Sequence, residues 1–319
     1  MTDTAAAAPP RQQPSRRRRV RFHLVDVFAD EPLAGNPLAV VPDADALDEA
    51  VMRRIAREFN QTETTFLLAP ALPDADWRLR CFTPGGVEVF GAGHNALGAW
   101  WWLADSGALD RVRDAFRQQL GDRVLPVTVE WEPDGDGSRP RRIGMRQAPP
   151  TQGAVARDPA GLARALGLSG GDLATDRLPA QVVSTGAGHL LVPAAGQAAV
   201  DRAQPDDAAL TAYLRESSGQ GCYLFALDTL DPAATAYARF FNPSVGNRED
   251  SATGSAAGPL ACHLLAHGIV EAGASAAVVI EQGHAMGRPS RIEVLLDGSG
   301  VPTVRGGGVT VAEGSLVLP

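Results

Sequence analysis

The chain has 319 residues, 45% of them hydrophobic, with 29 basic against 37 acidic side chains and a net charge of −8. Every basic residue is arginine, which excludes Schiff-base and pyridoxal-phosphate chemistry on a lysine and the phosphate-binding lysine of a P-loop. Length and apolar content allow a large core, more in keeping with two domains than one, and no apolar run reaches membrane-spanning length.

Six arginines fall within residues 1–21 against the single acid Asp3. Residues 1–19 lack the apolar core of a secretory signal and read as a disordered basic leader on an acidic body. That body would repel a phosphate backbone, so neither nucleic acid nor membrane is an expected partner. Cys81, Cys222 and Cys262 lie among apolar neighbours without a pairing pattern. They fit buried thiols in a reducing cytoplasm.

In chain order, Arg21–Val27 and Leu38–Val41 read as strands around the turn Ala34-Gly35-Asn36-Pro37, and 45–60 as an amphipathic helix. A β-branched and apolar strand over 61–68 carries one acid, Glu63, near its start. Trp77–Phe82 and Val87–Phe90 are expected strands, and 95–103 a Trp-rich helix. Residues 110–119 read as a charged helix, 125–131 as a strand and 134–138 as a tight loop. A helix over 158–166 precedes short strands at 181–184 and 190–193. After a helix over 206–217 come strands at 221–227 and 235–241, a helix over 256–267, and closing strands at 278–282, 291–296 and 309–311.

One unit occurs twice. Arg80-Cys81-Phe82-Thr83-Pro84 leads to Gly91-Ala92-Gly93-His94 and a helical run, and Arg239-Phe240-Phe241-Asn242-Pro243 leads to Thr253-Gly254-Ser255 and another. Two strand, proline turn, glycine turn, helix units suggest related halves. If the halves face each other, both helix entrances open on one cleft. Free N–H groups and the positive dipole end there favour an anion such as a carboxylate, with Asp250 just upstream of the second. An ordinary capping turn with solvated acids is the bland alternative for 247–255, and a solvated strand-edge acid the one for Glu63.

Other signals are weaker. Gly91-Ala92-Gly93-His94-Asn95-Ala96 meets the loose dinucleotide fingerprint, but the expected helix at 110–119 stands where a second parallel strand is required. His263 and His267 share a helix face without a third ligand, so they read as surface histidines and no metal site is expected. No G-x-S-x-G elbow is present.

Taken together, several motifs resemble the phenazine-biosynthesis PhzF-like isomerases within the diaminopimelate-epimerase-like fold. They are Val25–Phe28 with Pro32–Val40, Asn60–Phe66, Arg80–Pro84, Gly93-His94, Arg239–Pro243, Glu249–Ser255, Glu281–Gly283 with Met286–Ser290, and the glycine-rich closing strand. The match runs in order through nearly everything after residue 19.

The resemblance implies an α+β fold of two pseudo-symmetric domains, each a curved mixed sheet wrapped round a central helix, assembled as a homodimer. The halves are expected at 20–122 and 123–306, with 307–319 returning to the first. It implies catalysis without metal or organic cofactor, by Glu63 as the proton shuttle with His94, Asp250 and Ser255. Gly93, Asn95, Thr253 and Gly254 are the expected contacts to a small carboxylate substrate. In related racemases two thiols do the proton work from these turns, and neither turn here holds cysteine.

The implied reaction has Glu63 remove a proton from one carbon of a cyclic or unsaturated amino or hydroxy acid and return it to another. Ser251, Asn95 and His189 depart from the family's usual residues and border the pocket. A silent carboxylate-binding relative and, further off, a nucleotide-cofactor oxidoreductase are the alternatives.

Overall fold

The runs His94–Asp105 and Gly254–Ala266 are apolar on nearly every side, and a helix without a polar face has to be enclosed. In the computed structural model, which describes residues 18–135, 137–273 and 277–318, each is enclosed by a curved sheet. The expected leader lies outside the described residues up to residue 17, as does residue 136 in the expected loop at 134–138.

In chain order the elements of the first half are β1 (Arg19–Val27), β2 (Asn36–Val41), α1 (Glu49–Phe59), β3 (Thr64–Leu68), β4 (Trp77–Phe82), α2 (His94–Asp105), β5 (Ala115–Leu120), β6 (Arg123–Asp134) and β7 (Gly137–Arg146). Then follow β8 (Thr151–Val155), α3 (Pro159–Ala165), β9 (Gln181–Ser184), β10 (Gly188–Pro193), α4 (Gln197–Arg202), α5 (Asp207–Ser217), β11 (Cys222–Ala226) and β12 (Ala236–Asn242). The chain ends with β13 (Asn247–Asp250), α6 (Gly254–Ala266), β14 (Val278–Gln282), β15 (Ser290–Leu296), β16 (Pro302–Gly306) and β17 (Gly308–Val317).

The duplication is visible in the pairing. β2 runs parallel to β3, and β4 to β5 across α2; β10 runs parallel to β11, and β12 to β14 across α6. The inner pairs β3–β4 and β11–β12 are antiparallel. One seam joins the sheets, where β16 pairs with β7, and after it β17 returns to the first sheet to run antiparallel to β1. β6 and β7 extend the first sheet beyond residue 122. One continuous core spans α2, α6 and both sheets, with Trp100 fully buried.

The repeated Arg-x-Phe-x-Pro segment makes the same clamp twice. Arg80 reaches Glu88 with two hydrogen bonds of 2.7 Å, and its guanidinium lies 5.0 Å from the Phe82 ring centroid. Arg239 reaches Glu249 with two of 2.8 Å and lies 4.9 Å from the Phe241 centroid. Each clamp ties a sheet strand to the segment that leads into the central helix. Arg239 also donates to the carbonyls of Val200, Asp201 and Ala203 where α4 ends.

Several expectations need correction. Of the expected helix over 110–119, residues 115–119 lie in strand β5 and 110–114 in the turn before it, and Phe116 and Gln118 are buried between exposed Ala115 and Arg117. Buried Gln118 accepts from the Trp100 indole, and Gln119 accepts from the N–H groups of Ala71 and Leu72. Val87–Phe90 is a loop with a single bridge from Glu88 to Phe82. Strands β7, β8, β13 and β16 and helix α4 were not anticipated. His263 is buried, its Nε2 3.1 Å from the Pro179 carbonyl, and only His267 is at the surface.

Removing one partner of a largely buried ion pair strands the other charge. Arg239→Met is therefore expected to lower stability by about 3–5 kcal/mol in urea unfolding. The double variant with Glu249→Met should lose less, keeping only the cost of the Val200, Asp201 and Ala203 carbonyls deprived of their donor, and an equal loss in both would show that the clamp does not act as a pair.

Candidate active site

Glu63 occupies the turn between α1 and β3. The α1 C-cap, Asn60, adopts the left-handed conformation with φ 51°, which turns the chain out of the helix and sets Glu63 one residue before the strand. His94, the first residue of α2, places Nδ1 3.7 Å from Glu63 Oε2. That is beyond hydrogen-bond length. Burial holds the imidazole down to about 4, so His94 is neutral near pH 7 and its contact with Glu63 is not an ion pair.

The Glu63 carboxyl is pushed up to about 8, first by burial and then by the charge of Asp250, against a weaker opposing hydrogen bond to Cys81. Asp250 ends β13 and is pushed up by burial to about 6, with hydrogen bonds restraining the rise. Its Oδ1 accepts from Asn36 Nδ2 at 2.8 Å, and its Oδ2 from the Thr253 hydroxyl at 2.6 Å. Asn36 begins β2 in the first half, so the bond crosses between halves. Buried Gln282 completes the support: its amide nitrogen donates to the Asp250 carbonyl and Thr253 Oγ1, and its oxygen accepts from Thr253 N and Tyr223 OH.

Both helix entrances face one small cavity of about 10 Å³, lined by Gly93 and Ala92 from the first and Gly254 from the second, with Phe28, Leu97 and Gln147 among the other walls. Phe28 is buried at φ 62°, a conformation an aromatic residue rarely adopts, and its ring packs where any side chain at Gly306 would collide with it. Gln147 donates to the Gly254 carbonyl and lies against α6 at Gly258, which has no room for a Cβ.

The structure thus brings Glu63, His94 and Asp250 together, and Gly93 and Gly254 onto a shared wall. Ser255 lies one residue inside α6, its hydroxyl 3.2 Å from His189 Nε2. Two expected contacts are redirected. Asn95 is buried and turned into its own loop, its side-chain oxygen accepting from the N–H groups of Gly93 and Ala96 and its nitrogen donating to the Gly91 carbonyl. The Thr253 hydroxyl is committed to Asp250 and Gln282.

The Asn95 bonds also bear on the dinucleotide fingerprint. β5 does run parallel to β4, so the expected lack of a second parallel strand no longer counts against it. What counts is that Asn95 already occupies N–H groups a pyrophosphate would need. Residues that sequence reasoning missed are the supports Asn36, Gln282 and Arg288. Arg288 ties the halves by donating to Asp26 and to the carbonyls of Ala34 and Gly35. Asn36 and Gln282 each sit beside glycine in quoted motifs, and only their positions opposite Asp250 give them a role.

Both carboxyls bind their protons more tightly folded than unfolded, so they favour the folded state at low pH, and this contribution is lost as pH rises through about 6 and about 8. Glu63→Gln removes the larger part of that loss. The variant should melt at a higher temperature than its parent at pH 9 and at the same temperature at pH 4. An identical difference at both pH values in differential scanning calorimetry would contradict the buried, protonated glutamate.

Comparison with known proteins gives a consistent picture. The family described as phenazine biosynthesis-like protein matches residues 25–314. The trans-2,3-dihydro-3-hydroxyanthranilate isomerase of Pseudomonas aeruginosa is 36% identical over 302 residues, covering 93% of this chain and 99% of that protein. A PhzF-family phenazine biosynthesis protein of Bacillus anthracis superposes with a TM-score of 0.84 at 27% identity, covering 94% of this chain and all of the other. A probable proline racemase of Agrobacterium radiobacter shares the fold, with a TM-score of 0.61 at 14% identity and 94% and 93% coverage.

Proposed function

Because the chain belongs to the phenazine biosynthesis-like family, whose curated relatives support an isomerase, we propose that it shifts a proton, and with it a double bond, within a small cyclic or unsaturated amino or hydroxy acid. The observation that carries this reading is the placement of Glu63, held between the α2 entrance and Asp250 with its acidity near neutrality. A group that must both take and return a proton works best when its pKa lies near the working pH. An exposed glutamate would be too weak a base.

In this reading Glu63 takes a proton from one carbon, the electron pair moves into the conjugated system, and the same carboxyl delivers the proton to another carbon. Composition and oxidation state are unchanged, so no external oxidant or reductant enters. Neutral His94 donates to or accepts from the substrate's polar group beside Glu63, and ionised Asp250 orients an ammonium or hydroxyl. The substrate carboxylate lies at the α6 entrance, where Gly254 and Ser255 are in the first turn and their N–H groups have no intrahelical carbonyl.

The relative's named substrate, trans-2,3-dihydro-3-hydroxyanthranilate, is the first compound to try. Incubated in D2O with the protein and followed by NMR, it should be converted to the shifted isomer, with deuterium at the new carbon where the Glu63 proton exchanges with solvent before its return, and Glu63→Gln should slow this by roughly 10²–10⁴-fold. Exchange at wild-type rate in Glu63→Gln would remove the base. Binding without exchange across a panel of cyclic unsaturated amino acids would identify a silent relative.

The pH profile gives a second check. Since Glu63 must be ionised to act as base, kcat/KM is expected to rise with pH, with its half-rise near 8 and its plateau above that. A half-rise near 4.5, the ordinary glutamate range, would place the base elsewhere.

A further inference from the structure

His189 stands on β10, 4% exposed, with its ring edge-on to Phe240 at a centroid separation of 5.0 Å. Its Nε2 lies 3.2 Å from Ser255 Oγ, whereas Nδ1 is buried and has no hydrogen-bond partner among the described residues. Nδ1 faces Gly221, where a Cβ would lie 3.3 Å from it. Gly221 immediately precedes β11, as Glu63 precedes β3. The second half thus carries no side chain at the position where the first half carries the acid, and His189 packs against that position.

The one-sided contact decides which way the hydrogen bond runs. Burial holds His189 down to about 4, so the ring is neutral near pH 7 and one nitrogen alone carries a proton. A proton on Nδ1 would bury an N–H with no acceptor, the rarer and costlier defect. With the proton on Nε2, the ring donates to Ser255 Oγ and only a lone pair goes unmatched. The Ser255 hydroxyl, with its oxygen already receiving a proton, then has its own hydrogen free for the α6 entrance.

Building on the isomerase reading, we propose that His189 is a positioning residue that fixes Ser255 as a hydrogen-bond donor to the substrate carboxylate. Ser255 and the first-turn N–H groups then present donors alone to the anion. A serine without this partner is free to turn its lone pairs toward the carboxylate.

Two measurements on the full chain test this. In long-range 1H–15N NMR at pH 7, His189 should show the Nε2–H tautomer, and Ser255→Ala should shift its Nε2 resonance. This arm needs no substrate, so it stands or falls apart from the isomerase reading. An Nδ1–H tautomer or a charged ring overturns the proposal. In turnover of trans-2,3-dihydro-3-hydroxyanthranilate, His189→Leu should raise KM about 10–100-fold, as expected for losing one bond to a charged group, while kcat changes little. His189→Gln, whose amide nitrogen can reach the Nε2 position, should restore most of the loss. Adding Ser255→Ala to His189→Leu should have little further effect. A fall in kcat with unchanged KM, or failure of the Gln rescue in a folded variant, would overturn it. If wild type does not turn this compound over, the same KM ratios are read as Kd ratios for anthranilate against anthranilamide. There a loss confined to the carboxylate supports the proposal, and an equal loss for both ligands, or no loss, overturns it.

Discussion

The burial of the Asp250 carboxylate at the meeting of the two halves is the constraint on which the site depends. A charge removed from water needs compensating donors, and here they come from both sides of the seam: Asn36 from the first half, Thr253 from the second. Burial raises the affinity of Glu63 for its proton, and the same placement of Asp250 adds to it, because a second carboxyl nearby opposes ionisation. Docking of the halves and the shift in the acidity of Glu63 are therefore one event. Arg288 on Asp26, and Ser251 on the Gly35 carbonyl, hold the Asn36 turn in register with Asp250.

The scaffold is duplicated and the chemistry is not. Both halves have two parallel strand pairs, an arginine clamp and an apolar central helix, yet the groups at the helix entrances differ. The first entrance offers neutral His94 beside Glu63, and two of its backbone donors, the N–H groups of Gly93 and Ala96, are taken by Asn95. The second has hydroxyls and glycine, with Asp250 upstream. A symmetrical enclosure with unlike ends suits an unsymmetrical ligand held in one orientation, as the proposed shift of a proton between two different carbons requires.

Local steric fits set how closely the two helix entrances approach the surrounding sheets. Gly98 leaves no space for a Cβ between α2 and Val27 and Leu38, and Gly258 leaves none between α6 and Gln147. These close approaches bring the helix entrances to the cavity wall. Phe28, held at positive φ, then covers the α6 entrance with its ring. Strain at such a residue persists only where its surroundings fix it, as at the rim of a site.

The sequence by itself determined the repeated Arg-x-Phe-x-Pro unit, the two apolar helices and the acids and histidine beside their entrances, because these are local patterns of spacing and residue type. It carried the family likeness and the α+β class for the same reason. The tertiary structure alone decided that 115–119 is a strand, since Gln118 and Gln119 are polar residues buried on opposite faces against partners as far off as Trp100 and Ala71. It alone turned Asn95 into its own loop, made Asn36 and Gln282 supports of Asp250, and set His189 on Ser255. Those roles rest on hydrogen bonds between residues that are mostly far apart in the chain, and on burial that shifts acidity. Neither is encoded in the neighbours of a residue, only in what the folded chain packs against it.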